Sequence, residues 1–301
     1  MKIIFATRPS ALARWQTGWV IQSLRAIFPE IEFEEKIITT QGDRVLDRAL
    51  PEIGGKGLFT QELETALISG EVSAAVHSLK DLPTEQPDGL TLAAIPARAE
   101  VRDAFISAGG ADLDELPSGA VIGTSSLRRG AQLLARRPDL VVAPIRGNVD
   151  TRVRKILAGQ YDGGILAGAG LIRLELQEHI THWLPLDWML PAPGQGALAV
   201  QCRSEDRETS SVLKAIQDPT AELTTRAERS FLQALGGGCS LPVGAYACLE
   251  DERLILEAVA ASPDGKRFLR ANFEGSDPGE LGKRAADALL KRGAGDFIDA
   301  G

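Results

Sequence analysis

Three glycines, Gly236, Gly237 and Gly238, run directly into Cys239. Without Cβ atoms they let the backbone turn sharply and let a ligand come close, so the thiol is expected on a loop. A thiolate there is a nucleophile, a metal ligand or an anchor for a covalent group. The plainer reading is a small apolar residue filling a tight turn. With only three cysteines in the chain, Cys239 does not read as part of a disulfide framework. Cys202 and Cys248 stand in apolar, strand-like surroundings and read as buried and inert.

Five further segments carry polar residues, four of them with glycine or proline, near predicted strand ends: 7–10, 54–57, 77–81, 123–129 and 146–148. Ligands of open α/β sheets bind at such strand ends. Thr124 to Ser126 opens a predicted helix, backed by Arg128 and Arg129, and free N–H groups at a helix start favour a carboxylate or phosphate. Two adjacent arginines in isolation are more often a solvated helix face. The number of such segments shifts the reading toward a ligand with many negative groups, each charge-assisted bond contributing about 1.5–3 kcal/mol. Arg152 lies one turn beyond Asn148, and Arg173 follows Gly168-Ala169-Gly170 in a similar place.

The remaining segments are less specific. Gly54-Gly55-Lys56-Gly57 lacks the spacing and the Lys-Ser/Thr pair of a phosphate-binding P-loop. His77 has no His or Cys at metal-ligand spacing, so no metal site is expected and a hydrogen-bonded core histidine is the better reading. Asp81 is either a turn former before Leu82-Pro83 or a carboxylate able to stabilise a cation or move a proton. Glu228 and Arg229 read as a solvated face of the helix before Cys239.

The elements that must position these residues alternate. Residues 2–7 read as a buried strand and 9–28 as a helix, with Pro9 in its first turn and Leu12, Trp15, Trp19, Leu24 and Ile27 along one face. Strands are predicted at 33–39, 74–77 and 90–95, and a helix at 58–69 stopped by Gly70. A second copy of the pattern begins near Asp103, with strands at 121–124, 140–146 and 163–167 and helices at 126–137, 148–158 and 169–179. Such alternation predicts mostly parallel sheets with helices on both faces. The Pro- and Gly-rich segment 191–196 reads as a crossing, after which 197–200 returns to the first sheet. From residue 219 the pattern changes to a helix at 221–235, three strands with a Ser262-Pro263-Asp264-Gly265 hairpin, and a closing helix at 278–291.

Composition bounds the answer. At 301 residues, 44% hydrophobic and 25% charged, the chain is globular and long enough for two or three domains. A net charge of −8 argues against nucleic acid as a partner. Arginine outnumbers lysine by more than two to one, which suits bidentate contacts with carboxylates. No stretch approaches the length of a membrane span and nothing resembles a signal peptide, so a cytoplasmic protein without a membrane partner is expected.

Taken together, the segments 6–10, 54–59, 75–81, 123–129, 146–152, 166–171, 191–198 and 237–244 resemble the porphobilinogen deaminase (hydroxymethylbilane synthase) family, in order along the chain. The resemblance implies an α/β fold of three domains. Two would be lobes like type II periplasmic binding proteins, at 1–98 with 195–217 and at 99–194; the third, 218–301, would be a smaller α+β domain with an antiparallel sheet. It implies a monomer that joins four molecules of porphobilinogen head to tail, releasing ammonia at each step, and frees the linear tetrapyrrole by hydrolysis. It implies a dipyrromethane cofactor bound covalently through Cys239, and Asp81 as the catalytic carboxylate. Arg8, Lys80, Arg128, Arg129, Arg146, Arg152 and Arg173 match carboxylate-binding positions, with Ser10, Lys56, Thr124, Ser126, Asn148 and Gln195 as polar helpers. Two departures bear on loop shape: Glu175 stands where the family commonly has glycine, and 99–103 lacks a proline before Arg102-Asp103. The rival readings are a non-catalytic two-lobed protein that binds small anions, and a hydrolase pairing Cys239 with His77.

Overall fold

The computed structural model describes residues 1–44, 60–237 and 241–298. Lys56 and Cys239 therefore lie outside the described residues, as do Leu58 and Phe59 at the expected start of the second helix. The chain forms two compact units, Met1–Ala99 with Ala197–Glu222 and Glu100–Gly196 with Leu223–Gly301.

In chain order the first unit opens with β1 (Lys2–Thr7), α1 (Ala11–Ile27), β2 (Glu32–Ile37), α2 (Gln41–Arg44), α3 (Gln61–Ile68), β3 (Ala74–Ser78) and β4 (Leu90–Ala94). The second unit follows with β5 (Asp103–Ser107), β6 (Val121–Gly123), α4 (Leu127–Arg136), β7 (Val141–Ala143), α5 (Val149–Leu157), β8 (Gly163–Ala167), α6 (Gly168–Arg173) and β9 (His182–Trp183). The chain returns to the first unit as β10 (Leu198–Arg203) and α7 (Arg207–Leu213). Helix α8 (Pro219–Ala234) leads to β11 (Val243–Glu250), β12 (Arg253–Ala261), β13 (Phe268–Gly275), α9 (Pro278–Lys291) and α10 (Gly295–Ile298).

The two five-stranded sheets share one plan. Their orders are β2-β1-β3-β10-β4 and β7-β6-β8-β5-β9. In each, three parallel strands are followed by one antiparallel strand, β10 against β3 and β5 against β8. The expectation of mostly parallel sheets misses these two. They enter from the crossings of the chain rather than from a strand–helix–strand unit, so the rule that makes such neighbours parallel does not apply to them. The third sheet, β11-β12-β13, is wholly antiparallel. Its inner face meets α8 and α9 in a core of Phe231, Leu256, Leu281, Ala285 and Leu289. This is an α/β fold with a separate antiparallel sheet.

Local differences from the sequence reading have local causes. Helix α1 begins after Pro9, because extended Ser10 caps it by accepting from the Ala13 N–H. Its buried stripe is Gln16, Thr17, Val20, Ile21 and Leu24, whereas Trp15 and Ile27 are exposed at 39% and 48%. A count of apolar residues passes over Gln16, whose amide donates to Ser78 Oγ at 2.9 Å. The helix expected at 169–179 stops at Arg173, because Glu175 takes the left-handed region at φ 57°. Pro144, which has no N–H to give a sheet, follows the shortened β7.

At the β12–β13 hairpin, Gly265 has φ +71°, and a Cβ there would lie 2.4 Å from Ala135 N at the end of α4. Gly265→Ala is therefore expected to lower stability by about 1–3 kcal/mol through overpacking and backbone strain. Glu175→Gly should act in the opposite sense, relieving about 1 kcal/mol of left-handed strain. Denaturant unfolding of both variants checks the two signs.

Candidate functional site

In the first unit, parallel β1 and β3 end at the same sheet edge, and the chemistry lies just beyond them. Arg8 follows β1 and is half-buried against Asp43, donating Nε to Oδ2 at 3.2 Å and Nη2 to Oδ1 at 2.5 Å. Thr40 adds its N–H and Oγ1–H to Asp43 Oδ2. Burial pushes the Asp43 carboxyl up, but the bonds from Arg8 and Thr40 outweigh it and hold the group below its ordinary range. Ser10 is occupied as the cap of α1.

Beyond β3 the chain forms a 3-10 turn, Leu79–Asp81. Leu79 and Leu82 are buried with Ile95, Ala197 and Ala199, and the Leu79 N–H donates to Ala197 O at 3.0 Å. Lys80 is half-buried and Asp81 exposed, so the carboxylate rides on a turn fixed by the apolar residues on either side. His77 is buried in β3 with Nε2 3.2 Å from Gln201 Oε1. Burial lowers its pKa to about 4, with Arg8 acting in the same direction and Gln201 against, so the ring is neutral at physiological pH. Its partner is an amide rather than a carboxylate, which suits the core-histidine reading and not the hydrolase.

In the second unit, parallel β6, β7 and β8 end at one edge, and the expected residues follow each of them. After β6, buried Thr124 accepts the Ser126 N–H on Oγ1, and Ser126 caps α4 by accepting from the Arg129 N–H. Arg128 and Arg129, in the first turn of that helix, are buried rather than solvated. Both reach Asp103, which has 0% exposure. Arg128 Nη1 donates to Asp103 Oδ2 at 2.7 Å, and Arg129 donates Nε and Nη2 to Oδ1 at 3.0 and 2.7 Å. Gln195, also at 0% exposure, adds Nε2 to the same oxygen at 2.8 Å. Burial opposes the charge on Asp103, yet the two guanidiniums hold its carboxyl far below the usual range.

The other donors line the same sheet edge. Arg152 donates Nε to the carbonyl of Gly147, whose φ is +109°, while half-buried Arg146 and exposed Asn148 flank that glycine. Asn148 sits at the start of α5 without capping it. Arg173 is buried and donates Nη2 to Gly196 O at 2.8 Å; burial lowers its pKa to about 10, still cationic at neutral pH. The structure thus gathers Arg128, Arg129 and Gln195 on one carboxylate. Arg8, Ser10, Lys80 and Asp81 belong to the first unit.

Two acidic residues escaped the sequence reading. Asp103 heads β5, and because β5 runs against β8, its register partner is Ala167 at the end of β8. Glu228 is not on a solvated face: it has 0% exposure and accepts from Gly194 N–H at 2.7 Å and Ala247 N–H at 2.8 Å. Its spacing from Phe231 and Leu232 along α8 was the available signal. Cys202 is buried, and burial raises its thiol pKa to about 11. Cys248 is only half-buried, contrary to expectation, and burial with Glu250 beside it raises its thiol as well.

Residues 3–211 match the family model described as "Porphobilinogen deaminase, dipyromethane cofactor binding domain", and residues 222–291 match "Porphobilinogen deaminase, C-terminal domain". The chain belongs to the porphobilinogen deaminase family. A relative from Brevibacillus brevis named "Porphobilinogen deaminase" is 50% identical over 97% of this chain and 95% of its own. One from Desulforudis audaxviator, of the same name, is 50% identical over 99% and 97%. The VFT2 domain of Bordetella pertussis BvgS is similar at 16% identity and a TM-score of 0.42, covering 71% of this chain and 85% of its own. Family membership makes the chain a transferase and weighs against the non-catalytic alternative. The donors of the second unit fit a dipyrromethane bearing carboxylates: Arg128, Arg129 and Asp103 together leave one net positive charge, and buried Arg173 is a further cation.

The depressed His77 pKa has a stability consequence. Below pH 6.5 the unfolded chain takes up a proton that the folded chain refuses until about pH 4. Stability from this group is therefore complete above pH 6.5 and falls by roughly 3 kcal/mol toward pH 4. In His77→Gln that component should vanish, which paired unfolding curves across this range would reveal.

Proposed function

We propose that this protein joins four porphobilinogen molecules head to tail on a dipyrromethane carried by Cys239, losing ammonia at each addition, and releases the linear tetrapyrrole hydroxymethylbilane by hydrolysis. The observation that carries this reading is the arginine cluster on Asp103 at the strand ends of the second unit. Each pyrrole of the product bears an acetate and a propionate, so the chain's own task is to hold carboxylates. Arg128, Arg129, Arg146, Arg152 and Arg173 would do so with Thr124, Ser126, Asn148 and Gln195 in support; Arg8, Ser10, Lys56 and Lys80 would serve in the same way. When bound, the dipyrromethane supplies the pyrrole carbon to which the first substrate unit is joined.

Asp81 is assigned the catalytic role. When the amino group of porphobilinogen leaves as ammonia, the methylene carbon left on the pyrrole becomes electron-poor. An exposed carboxylate on the rigid Leu79–Asp81 turn can accept hydrogen bonds from the pyrrole N–H and stabilise that positive charge. The reading includes a division into 1–98 with 195–217, 99–194 and 218–301, supported by one sheet in each. It extends to a cytoplasmic monomer without nucleic-acid or membrane partners, and the net charge of −8 supports the first exclusion.

Intact mass spectrometry of the purified protein should show an excess of two porphobilinogen units less two ammonias, absent from Cys239→Ser. An unmodified but active protein would remove Cys239 from the mechanism. Asp81→Asn should keep the added mass and KM while kcat falls on the order of 10²–10⁴-fold. A kcat close to that of the unaltered enzyme would withdraw the catalytic assignment.

A further inference from the structure

We propose that Asp103 is a positioning residue for the carboxylate site: it draws Arg128 and Arg129 to one point at the sheet edge, and Gln195 fixes Asp103 in turn. This rests on the carboxylate-binding reading of Arg128 above. Arg128 and Arg129 are consecutive on α4, so their side chains leave the helix in diverging directions. Asp103 reverses that divergence. Its Oδ2 takes Arg128 Nη1, while Oδ1 takes Arg129 Nε and Nη2 side-on and Gln195 Nε2. The supports extend to the backbone: Arg128 Nη1 also reaches Leu190 O, Arg129 Nη1 reaches Ile165 O, and Gln195 Nε2 reaches Val101 O.

The charge count points the same way. Two buried guanidiniums side by side would repel; one carboxylate between them leaves a single net positive charge. An apolar group of similar volume often stabilises a fold as well as a buried ion pair does. It would not supply two guanidiniums fixed at a strand end. Arg128 Nε, moreover, is buried and has no hydrogen-bond partner among the described residues, so this cluster is not arranged only to satisfy itself.

The test uses the full chain with Asp103→Asn, Gln195→Met, Arg128→Gln and the Asp103→Asn/Arg128→Gln pair. Circular dichroism and thermal unfolding report the fold, intact mass reports the fraction carrying dipyrromethane, and steady-state kinetics separate KM from kcat. Positioning predicts that folded Asp103→Asn loses dipyrromethane loading and that its loaded fraction shows KM raised roughly tenfold. It also predicts that adding Asp103→Asn to Arg128→Gln raises KM by less than Asp103→Asn does alone, because the share that acts through Arg128 is already lost. Should Asp103→Asn not fold, Gln195→Met decides, with the same direction at roughly threefold. Normal loading and KM in Asp103→Asn, or in Gln195→Met when it alone folds, overturn the proposal, as does an additive double variant. Normal loading and KM in Arg128→Gln instead remove the carboxylate reading itself, and the proposal with it.

Discussion

Asp103 is a carboxylate with no access to water, and the second unit is built around satisfying it. An unpaired buried charge would cost several kcal/mol and would ordinarily neutralise itself. Here two guanidiniums and one amide supply four donor contacts, and the acid remains ionised. The donors come from α4 and from the turn before β10, so one acidic side chain fixes the positions of separate stretches of chain. The donors outnumber the acceptors in charge, which leaves the strand ends electropositive. In this unit the requirement of burial and the requirement of binding polyanions have the same solution.

Glu228 repeats the principle with backbone donors. Its two oxygens take the N–H groups of Gly194 and Ala247, tying α8 to the turn beside Gln195 and to β11. Gly194 and Gln195 are adjacent, so the two buried acids act on the same turn from different sides. Helix α8 also runs toward Gly236 and Gly237, the start of the glycine stretch before Cys239. The segment that leads to the cysteine and the segment that orients the arginines thus share a support.

Most elements were legible because periodicity and punctuation carry the signal for them. The strand at Lys2–Thr7, the strand at Gly163–Ala167 and the helix at Pro278–Lys291 agree with the sequence reading to the residue. What escaped it was polar burial. Gln16, Asp103 and Glu228 are all inside, each because a specific partner meets it, and partners distant in sequence leave no local trace. The segments of the site were legible as motifs at strand ends. The pairing of Arg128 and Arg129 with Asp103 was not, because it depends on β5 running antiparallel to β8. Glu175 is the opposite case: its departure from glycine was visible in the sequence, and the backbone shows the left-handed turn that it strains.

The position of β10 carries a consequence for how the chain is made. It lies between β3 and β4, inside the first sheet rather than at its edge. Until Leu198–Arg203 leaves the ribosome, β3 and β4 have no strand between them and the first unit cannot close. The second unit's five-stranded sheet, β5 to β9, is by then fully synthesised. Vectorial synthesis therefore lets the unit encoded second complete its sheet first, and it leaves the opening ninety or so residues waiting on a distant pairing that is slow to form.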